Sequence, residues 1–539
     1  VGPASTGGFK IARKRRGSLG DDHEDKALMA PRVAVSIGEW VTLTADRFPD
    51  RPCFVYADGG SHTFAAINAR VNRLADALRR NGVGQGDRVA VMALDSHRYA
   101  ETVLAALKIG ATYMPFNWRL SAQEVANLLD RGSPAAIFHS HRYGPMFAGS
   151  NTARLLIDYD GPEGGSKEYE DLLDTGSEAE QASAVPDDEL FGLAFTSGTT
   201  GMPKGVLQSR RMMKHMVMSG LAEFPAHAGD VRYCASPMFH VTGVDMILMG
   251  IVRGFTSLVT PQFDPDATAR FLMGDGLSAC FLVPTMISML LQRPELAGRR
   301  YDRLELIMYG AAPMSPALLR RAMDTFGCDF ANLFGAGTEA GLQTLLTVDD
   351  HRRAAAGEEK LLGSIGRPAT GIAVRLTDED MNDVAIGQVG EITSRSDMVM
   401  DGYLDMPEQT ARSLRDGWFR AGDLAYRDAE GYLYLAGRKN DMIIRGGENV
   451  YPVEIESVLA EHPSVALVSV VGVPDEHWGE VIRAWLVLRT GQATTPEELS
   501  AFCRSRLAAY KVPVDYRIVD ELPMNASGKI LKTELRVRA

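Results

Sequence analysis

A chain of 539 residues is too long for one compact core, and 45% apolar with 23% charged residues is the make-up of an ordinary globular protein. The formal net charge of -12 excludes the broad basic face that nucleic-acid binding needs, while leaving room for a local anion site. Cys53, Cys234, Cys280, Cys328 and Cys503 show no CxxC or CxH spacing, which argues against a zinc site or a disulfide framework and fits a reducing cytoplasm.

Residues 1–30 hold the basic run Arg13-Lys14-Arg15-Arg16 and the acidic run Asp21-Asp22-His23-Glu24-Asp25 with no apolar stretch behind them, so they read as a disordered tail rather than a signal peptide. Ile67, Val71, Leu74 and Leu78 recur at helical spacing and Asn81-Gly82 ends that helix. Residues 87–93 read as a strand, and a second amphipathic helix runs through Tyr99, Val103 and Leu107 to Gly110. Such alternation predicts an α/β domain whose sheets are covered by helices. Residues 161–189, rich in Gly, Ser, Glu and Asp, read as a solvated surface connection. The longest apolar stretch, residues 243–260, is broken by Asp245 and Arg253, so no membrane span is expected. Near the end, Pro452 opens a helix carrying Ile455 and Leu459, residues 465–471 are β-prone, and Thr495-Pro496-Glu497-Glu498 is a capping box. These elements predict a small α+β lobe joined to the body near residues 437–441.

The strongest chemical signal is Thr196-Ser197-Gly198-Thr199-Thr200-Gly201-Met202-Pro203-Lys204-Gly205. A β-prone run, residues 191–195, leads into it and Val206-Leu207 follows as strand. Glycines expose backbone N–H groups to anionic oxygens, hydroxyls add donors, and Lys204 adds charge, so the loop suits a triphosphate. The spacing is not that of the GxxxxGK[ST] loop.

This loop, with further segments along nearly the whole chain after about residue 31, resembles the adenylate-forming superfamily of acyl-CoA synthetases, firefly-type luciferases and peptide-synthetase adenylation domains. Further segments carry the resemblance, in order: residues 107–115, Pro237-Met238-Phe239-His240, Tyr309-Gly310-Ala311-Ala312-Pro313, Gly337-Thr338-Glu339, Trp418-Phe419-Arg420-Ala421-Gly422-Asp423, Gly437-Arg438, Gly446-Gly447-Glu448-Asn449 and Asn525-Ala526-Ser527-Gly528-Lys529. The resemblance implies a large N-terminal multi-sheet α/β domain, residues 31–438, and a mobile C-terminal α+β lid, residues 439–539.

It also implies an ATP-dependent carboxylic acid–CoA ligase that forms acyl-AMP and then a thioester, with ATP, Mg2+ and coenzyme A as partners of the acid. Thr196, Ser197, Gly198, Thr199, Thr200, Gly201 and Lys204 would hold the phosphates. Gly310, Ala311, Ala312, Gly335, Ala336, Gly337 and Thr338 would border the adenine. Glu339 and Thr199 would serve the metal, since magnesium takes oxygen ligands. Asp423 would accept the ribose hydroxyls, with Arg438 reaching phosphate or ribose. His240 would stand at the mouth of the acyl pocket, Lys529 would bridge carboxylate and α-phosphate, and Gly446, Gly447 and Glu448 would line the pantetheine tunnel.

Two departures stand out. Where the family has an aromatic ring against adenine this chain has Gly335, leaving Phe334 or another residue to supply the stack. At the hinge, where relatives carry Asp or Lys, stands Asn440, which also tolerates unusual dihedrals. The small residues Gly310, Ala311, Gly335 and Ala336 suggest a roomy pocket and so a medium-to-long, aryl or ring-bearing acid. An acyl-AMP ligase or a carrier-loading adenylation enzyme is the nearest alternative. A luciferase-like oxygenase and a non-catalytic binder are more distant ones. A homodimer is left open, as is a carrier protein in place of CoA as the acceptor.

Overall fold

The computed structural model describes residues 35–149, 151–161, 167–182, 184–196, 203–274, 276–524 and 530–538. The first amphipathic helix, Phe64–Arg80, forms where the periodicity places it. The Thr63 hydroxyl caps it by accepting from the Ala66 amide, Ile67, Val71, Leu74 and Leu78 are buried, and Gly82 takes φ +75° beyond its end. The second, His97–Ile109, stops at Gly110 with φ +82°. Between them the strand Arg88–Met92 is buried along almost its whole length, as a central parallel strand must be.

Among the described residues the strands form four sheets. A seven-stranded sheet contains Leu190–Thr196 paired antiparallel with Lys204–Ser209, beside the parallel strands Thr112–Pro115 and Arg88–Met92. A nine-stranded sheet has Val231–Cys234, Ala279–Leu282, Leu306–Gly310 and Asp329–Phe334 as parallel neighbours. One hydrophobic core joins them: Val89 and Phe138 from the first, Phe54, Tyr233 and Ile307 from the second, and Leu74, Leu104, Val217 and Leu248 from helices. A five-stranded sheet, which includes Trp418–Arg427 and Leu433–Arg438, completes the body.

The C-terminal lobe has its own core, centred on Ile443, Ile455, Val470, Ile482 and Leu499. Helix Pro452–Ala460, strands Val465–Asp475 and Gly479–Leu488, and helix Pro496–Arg504 follow in the expected order, with the Thr495–Glu498 box formed in both directions. Residues 36–539 make one compact body. The fold is thus the large multi-sheet α/β domain with a small α+β lobe that the sequence suggested.

One expectation fails. Residues 161–189 are not a purely solvated connection, because they include the helix Lys167–Asp174, whose Tyr169 and Leu173 are buried. Tyr169, Leu172 and Leu173 sit at spacings of three and four, and this short apolar stripe outweighs the acidic composition around it. The Tyr169 hydroxyl donates to the buried Glu101 carboxylate at 2.8 Å.

Candidate active site

The motif residues gather where strands end. Leu306–Gly310 and Asp329–Phe334 run parallel with Gly310 opposite Leu333, so residues 310–312 and 335–339 leave neighbouring strands at their carboxyl ends. That edge of a parallel sheet is the usual place for a ligand. Ala311 adopts the left-handed φ of +64°, a conformation that a non-glycine residue holds only where its surroundings enforce it. A Cβ on Gly310 would lie 2.2 Å from the Leu333 carbonyl oxygen, and one on Gly335 would lie 2.0 Å from that of Gly341. Both glycines therefore permit close backbone approach and do not leave room in an acyl pocket, which corrects the reading of them as pocket-enlarging residues. Gly335 also has no space for the aromatic ring that relatives carry. Phe334 does not replace it, being packed on the satellite core of Ile365, Leu376, Ile392, Ala425 and Leu433.

Glu339 lies at the centre. The Thr196 hydroxyl donates to its Oε1 at 3.4 Å, tying the end of strand Leu190–Thr196 to the nine-stranded sheet's loop. Burial pushes the Glu339 carboxyl up to about 7, against the opposing pull of Lys204, Thr196 and Arg438. Gln208 donates to the Thr338 carbonyl at 2.9 Å and the Met400 amide to that of Glu339 at 2.7 Å, which fixes the segment from both sides. Lys204, paired with Thr196 across the hairpin, holds its ammonium 5.0 Å from the centre of the Tyr403 ring. Arg131 donates to the carbonyls of Pro203 and Leu404 and lies over Phe195, so it anchors the strand that follows residues 197–202.

Asp423 and Arg438 face each other across adjacent antiparallel strands, and Arg438 Nε donates to Asp423 Oδ1 at 2.9 Å. Asp423 is 8% exposed at its side chain, and its charge raises the Arg438 guanidinium's pKa. The pair is near enough to Glu339 for Arg438 to act on that carboxyl.

His240 caps helix Val241–Arg253, its Nδ1 accepting from the Thr242 amide at 3.4 Å. The preceding turn is held by the Tyr113 hydroxyl, which donates to the Met238 carbonyl at 2.9 Å, and by Asp95, which accepts from the Met238 amide at 2.9 Å. In the C-terminal lobe, Gly446 and Gly447 take φ +58° and +87° in a two-residue hairpin turn between Ile443–Arg445 and Glu448–Val450. The Gly446 amide donates to the Trp478 carbonyl at 2.8 Å, and a Cβ on Gly446 would meet the Trp478 ring at 2.8 Å. Asn440 sits in the short helical turn Lys439–Asp441, pinned by an Arg536–Asp441 ion pair at 2.7 Å. Ser197, Gly198, Thr199, Thr200, Gly201 and Lys529 lie outside the described residues.

Arg131, Gln208, Asp95 and Tyr403 are missed by motif reading, because each acts through a contact far away in sequence. The only local signal is a polar side chain within or beside a buried strand, as at Gln208.

Among the described residues no cluster of three or more His, Cys, Asp or Glu side chains could hold a metal on its own. A half-buried carboxylate beside a hydroxyl, with phosphate oxygens of a nucleotide added, is a donor set magnesium accepts.

The fold brings the segments 310–312 and 335–339 together at the carboxyl ends of parallel strands, where open parallel sheets usually bind ligands. Residues 41–404 match the AMP-binding enzyme family and residues 454–529 match the AMP-binding enzyme C-terminal domain, so the chain belongs to the AMP-binding enzymes of the adenylate-forming superfamily. It is 33% identical to a fatty acid–[acyl-carrier-protein] ligase of Streptomyces coeruleorubidus, over 92% of this chain and 94% of that one. It is 35% identical to a feruloyl-CoA synthase of an Amycolatopsis species, over 93% and 99%. Its fold is similar to that of ATP-bound MatB from Rhodopseudomonas palustris, with a TM-score of 0.85, 27% identity, and coverage of 93% and 98%.

Proposed function

We propose that the chain is an AMP-forming acid–CoA ligase. The observation that carries this reading is the approach of residues from three sheets: Thr196 and Lys204 from the seven-stranded sheet, Glu339 from the loop after the nine-stranded sheet's strand Asp329–Phe334, and Asp423 with Arg438 from the five-stranded sheet. A carboxylate oxygen of the acid attacks the α-phosphorus of ATP, the α–β bridging P–O bond breaks, and pyrophosphate leaves. The sulfur of CoA then attacks the acyl carbon, the C–O bond breaks, and AMP departs with that oxygen.

Asp423, oriented by Arg438, accepts the ribose hydroxyls. Thr196 and the loop after it donate to the phosphates, and Lys204 offsets their charge. When bound, Mg2+ would neutralise charge on the phosphates, held by Glu339 with Thr199. Lys529 bridges the attacking carboxylate and the α-phosphate, where a placed ammonium lowers the barrier to charge build-up. Residues 439–539 act as a lid that turns about Asn440 between the two steps, replacing Lys529 with the Gly446-Gly447-Glu448 turn beside the thiol. The substrate is a medium-to-long, aryl or ring-bearing acid, in keeping with relatives named for ferulate and for fatty acids.

Pyrophosphate release from Mg-ATP, measured over a panel of fatty and aryl acids with and without CoA, tests the reading. It predicts acid-dependent release that rises with CoA, together with a thioester detected by mass. Acid-dependent release that ignores CoA but rises with an acyl-carrier protein would favour carrier loading. That second reading is supported by the relative named as a carrier-protein ligase. No release with any acid would refute both.

A further inference from the structure

The turn at residues 237–240 is gripped at a single residue from two sides. The Met238 amide donates to Asp95 Oδ1 at 2.9 Å, and the Met238 carbonyl accepts from the Tyr113 hydroxyl at 2.9 Å. Both partners come from far away in sequence. Asp95 stands just before Ser96, the N-cap of helix His97–Ile109, and its own amide donates to the Pro261 carbonyl at 3.1 Å. Tyr113 is buried on strand Thr112–Pro115, and its hydroxyl is also 2.6 Å from that of Tyr99 on the same helix.

Packing does not fix this turn from behind. Asp95, Arg232, Cys234, Ser236, Met238 and Gly243 are among the residues lining a cavity of about 20 Å³, which is room for about one water molecule. Within itself the turn is stiff. The His240 amide donates to the Pro237 carbonyl at 2.9 Å and the Gly243 amide to the His240 carbonyl at 3.0 Å. A Cβ on Gly243 would lie 2.2 Å from the Pro237 carbonyl oxygen, so the start of helix Val241–Arg253 is pressed against the turn. A shift at Met238 is therefore passed on to His240. The same helix start borders the loop that carries Glu339, because Val241 lies 3.5 Å from the Cβ position of Gly337.

We propose that Asp95 is a positioning residue for adenylation: with Tyr113 it clamps the Met238 backbone and so sets the place of the His240 side chain beside the acid. The assignment rests on the acid-ligase reading above, in which His240 stands at the mouth of the acyl pocket. The clamp needs an acceptor from Asp95, not a charge. The residue as a whole is half-buried, but it lines the cavity behind the turn, and burial holds its carboxyl up at about 8. At neutral pH the group is thus mostly uncharged. Asparagine offers the same acceptor at nearly the same reach, whereas leucine fills the space and offers none.

The test is a double-mutant cycle read by acid-dependent pyrophosphate release. Asp95→Leu is expected to lower kcat/KM for the acid by about tenfold or more with KM for ATP within about twofold of wild type, and Asp95→Asn to stay within about threefold. In a His240→Ala background, Asp95→Leu should cost no more than about twofold further, because the side chain it positions is gone. Tyr113→Phe removes the other half of the clamp and keeps the ring. It should show a smaller loss with the same dependence on His240, which keeps the cycle readable where Asp95→Leu does not fold. Asp95→Leu within about twofold of wild type, Asp95→Asn as impaired as Asp95→Leu, or an equal factor lost with and without His240 overturns the clamp and leaves the ligase reading standing. Absence of release with any acid in wild type overturns the ligase reading and this assignment together.

Discussion

Glu339 is costly to the fold, and the proposed mechanism gives that cost a use. Its carboxyl is buried enough to be pushed up to about 7, and the cations that oppose this, Lys204 and Arg438, are held by other contacts. Glu339→Gln removes the charge but keeps the shape. It should lower acid-dependent pyrophosphate release by about 10²–10³-fold, because the carboxylate that would hold a phosphate-bound metal is lost. Thermal melting should show an equal or higher Tm, since a neutral group is cheaper to bury. Asp245 has a pH signature of its own. Its folded-state value of about 7 lies above that of an ordinary aspartate, so between the two the folded chain binds more protons than the unfolded one. Stability from this group is present at low pH and is lost as pH rises through that window. Asp245→Asn has no such proton to lose. Its stability relative to wild type should therefore climb from about pH 5 to about pH 7, by at most about 1.4 kcal/mol per pH unit, as read by urea unfolding at each pH.

At the scale of elements, the site depends on backbone segments packed against each other. The loop after strand Asp329–Phe334 turns back so closely at Gly335 that a methyl group would overlap the Gly341 carbonyl. Gly335→Ala should cost about 1–3 kcal/mol and weaken ATP binding with it, measured by denaturant unfolding and by KM. This constraint was hidden in the sequence, where Gly335 appears only as a missing aromatic. Other parts were plain. The helices Phe64–Arg80 and His97–Ile109 declare themselves by apolar period and by the glycines beyond their ends. The motif residues Thr196, Glu339, Asp423 and Arg438 declare themselves as contiguous strings and do converge. Arg131, Gln208 and Asp95 carry no such string, since their partners Pro203, Thr338 and Met238 lie far along the chain. The helix Lys167–Asp174 is hard to read from sequence because its short apolar stripe falls in a window where acidic and small residues predominate.

At the scale of the molecule, the account needs a chain that performs two steps at one site. The C-terminal lobe has a separate core, and its Gly446-Gly447 turn bonds within the lobe rather than to the Glu339 cluster among the described contacts. That is the organisation expected of a part that is exchanged between steps. Lys529→Ala should reduce acyl-AMP formation by about 10²-fold or more while leaving thioester formation from supplied acyl-AMP within a few-fold of wild type. Equal loss in both steps would remove the two-state assignment.

The most direct test of the central claim follows an oxygen atom. With an acid labelled by 18O in its carboxylate, and with ATP and CoA, one labelled oxygen should end in AMP, because the C–O bond to the phosphate-bound oxygen is the one that CoA breaks. Label found in orthophosphate with ADP as co-product would mean an acyl-phosphate route. It would contradict adenylation at the Glu339–Asp423 site.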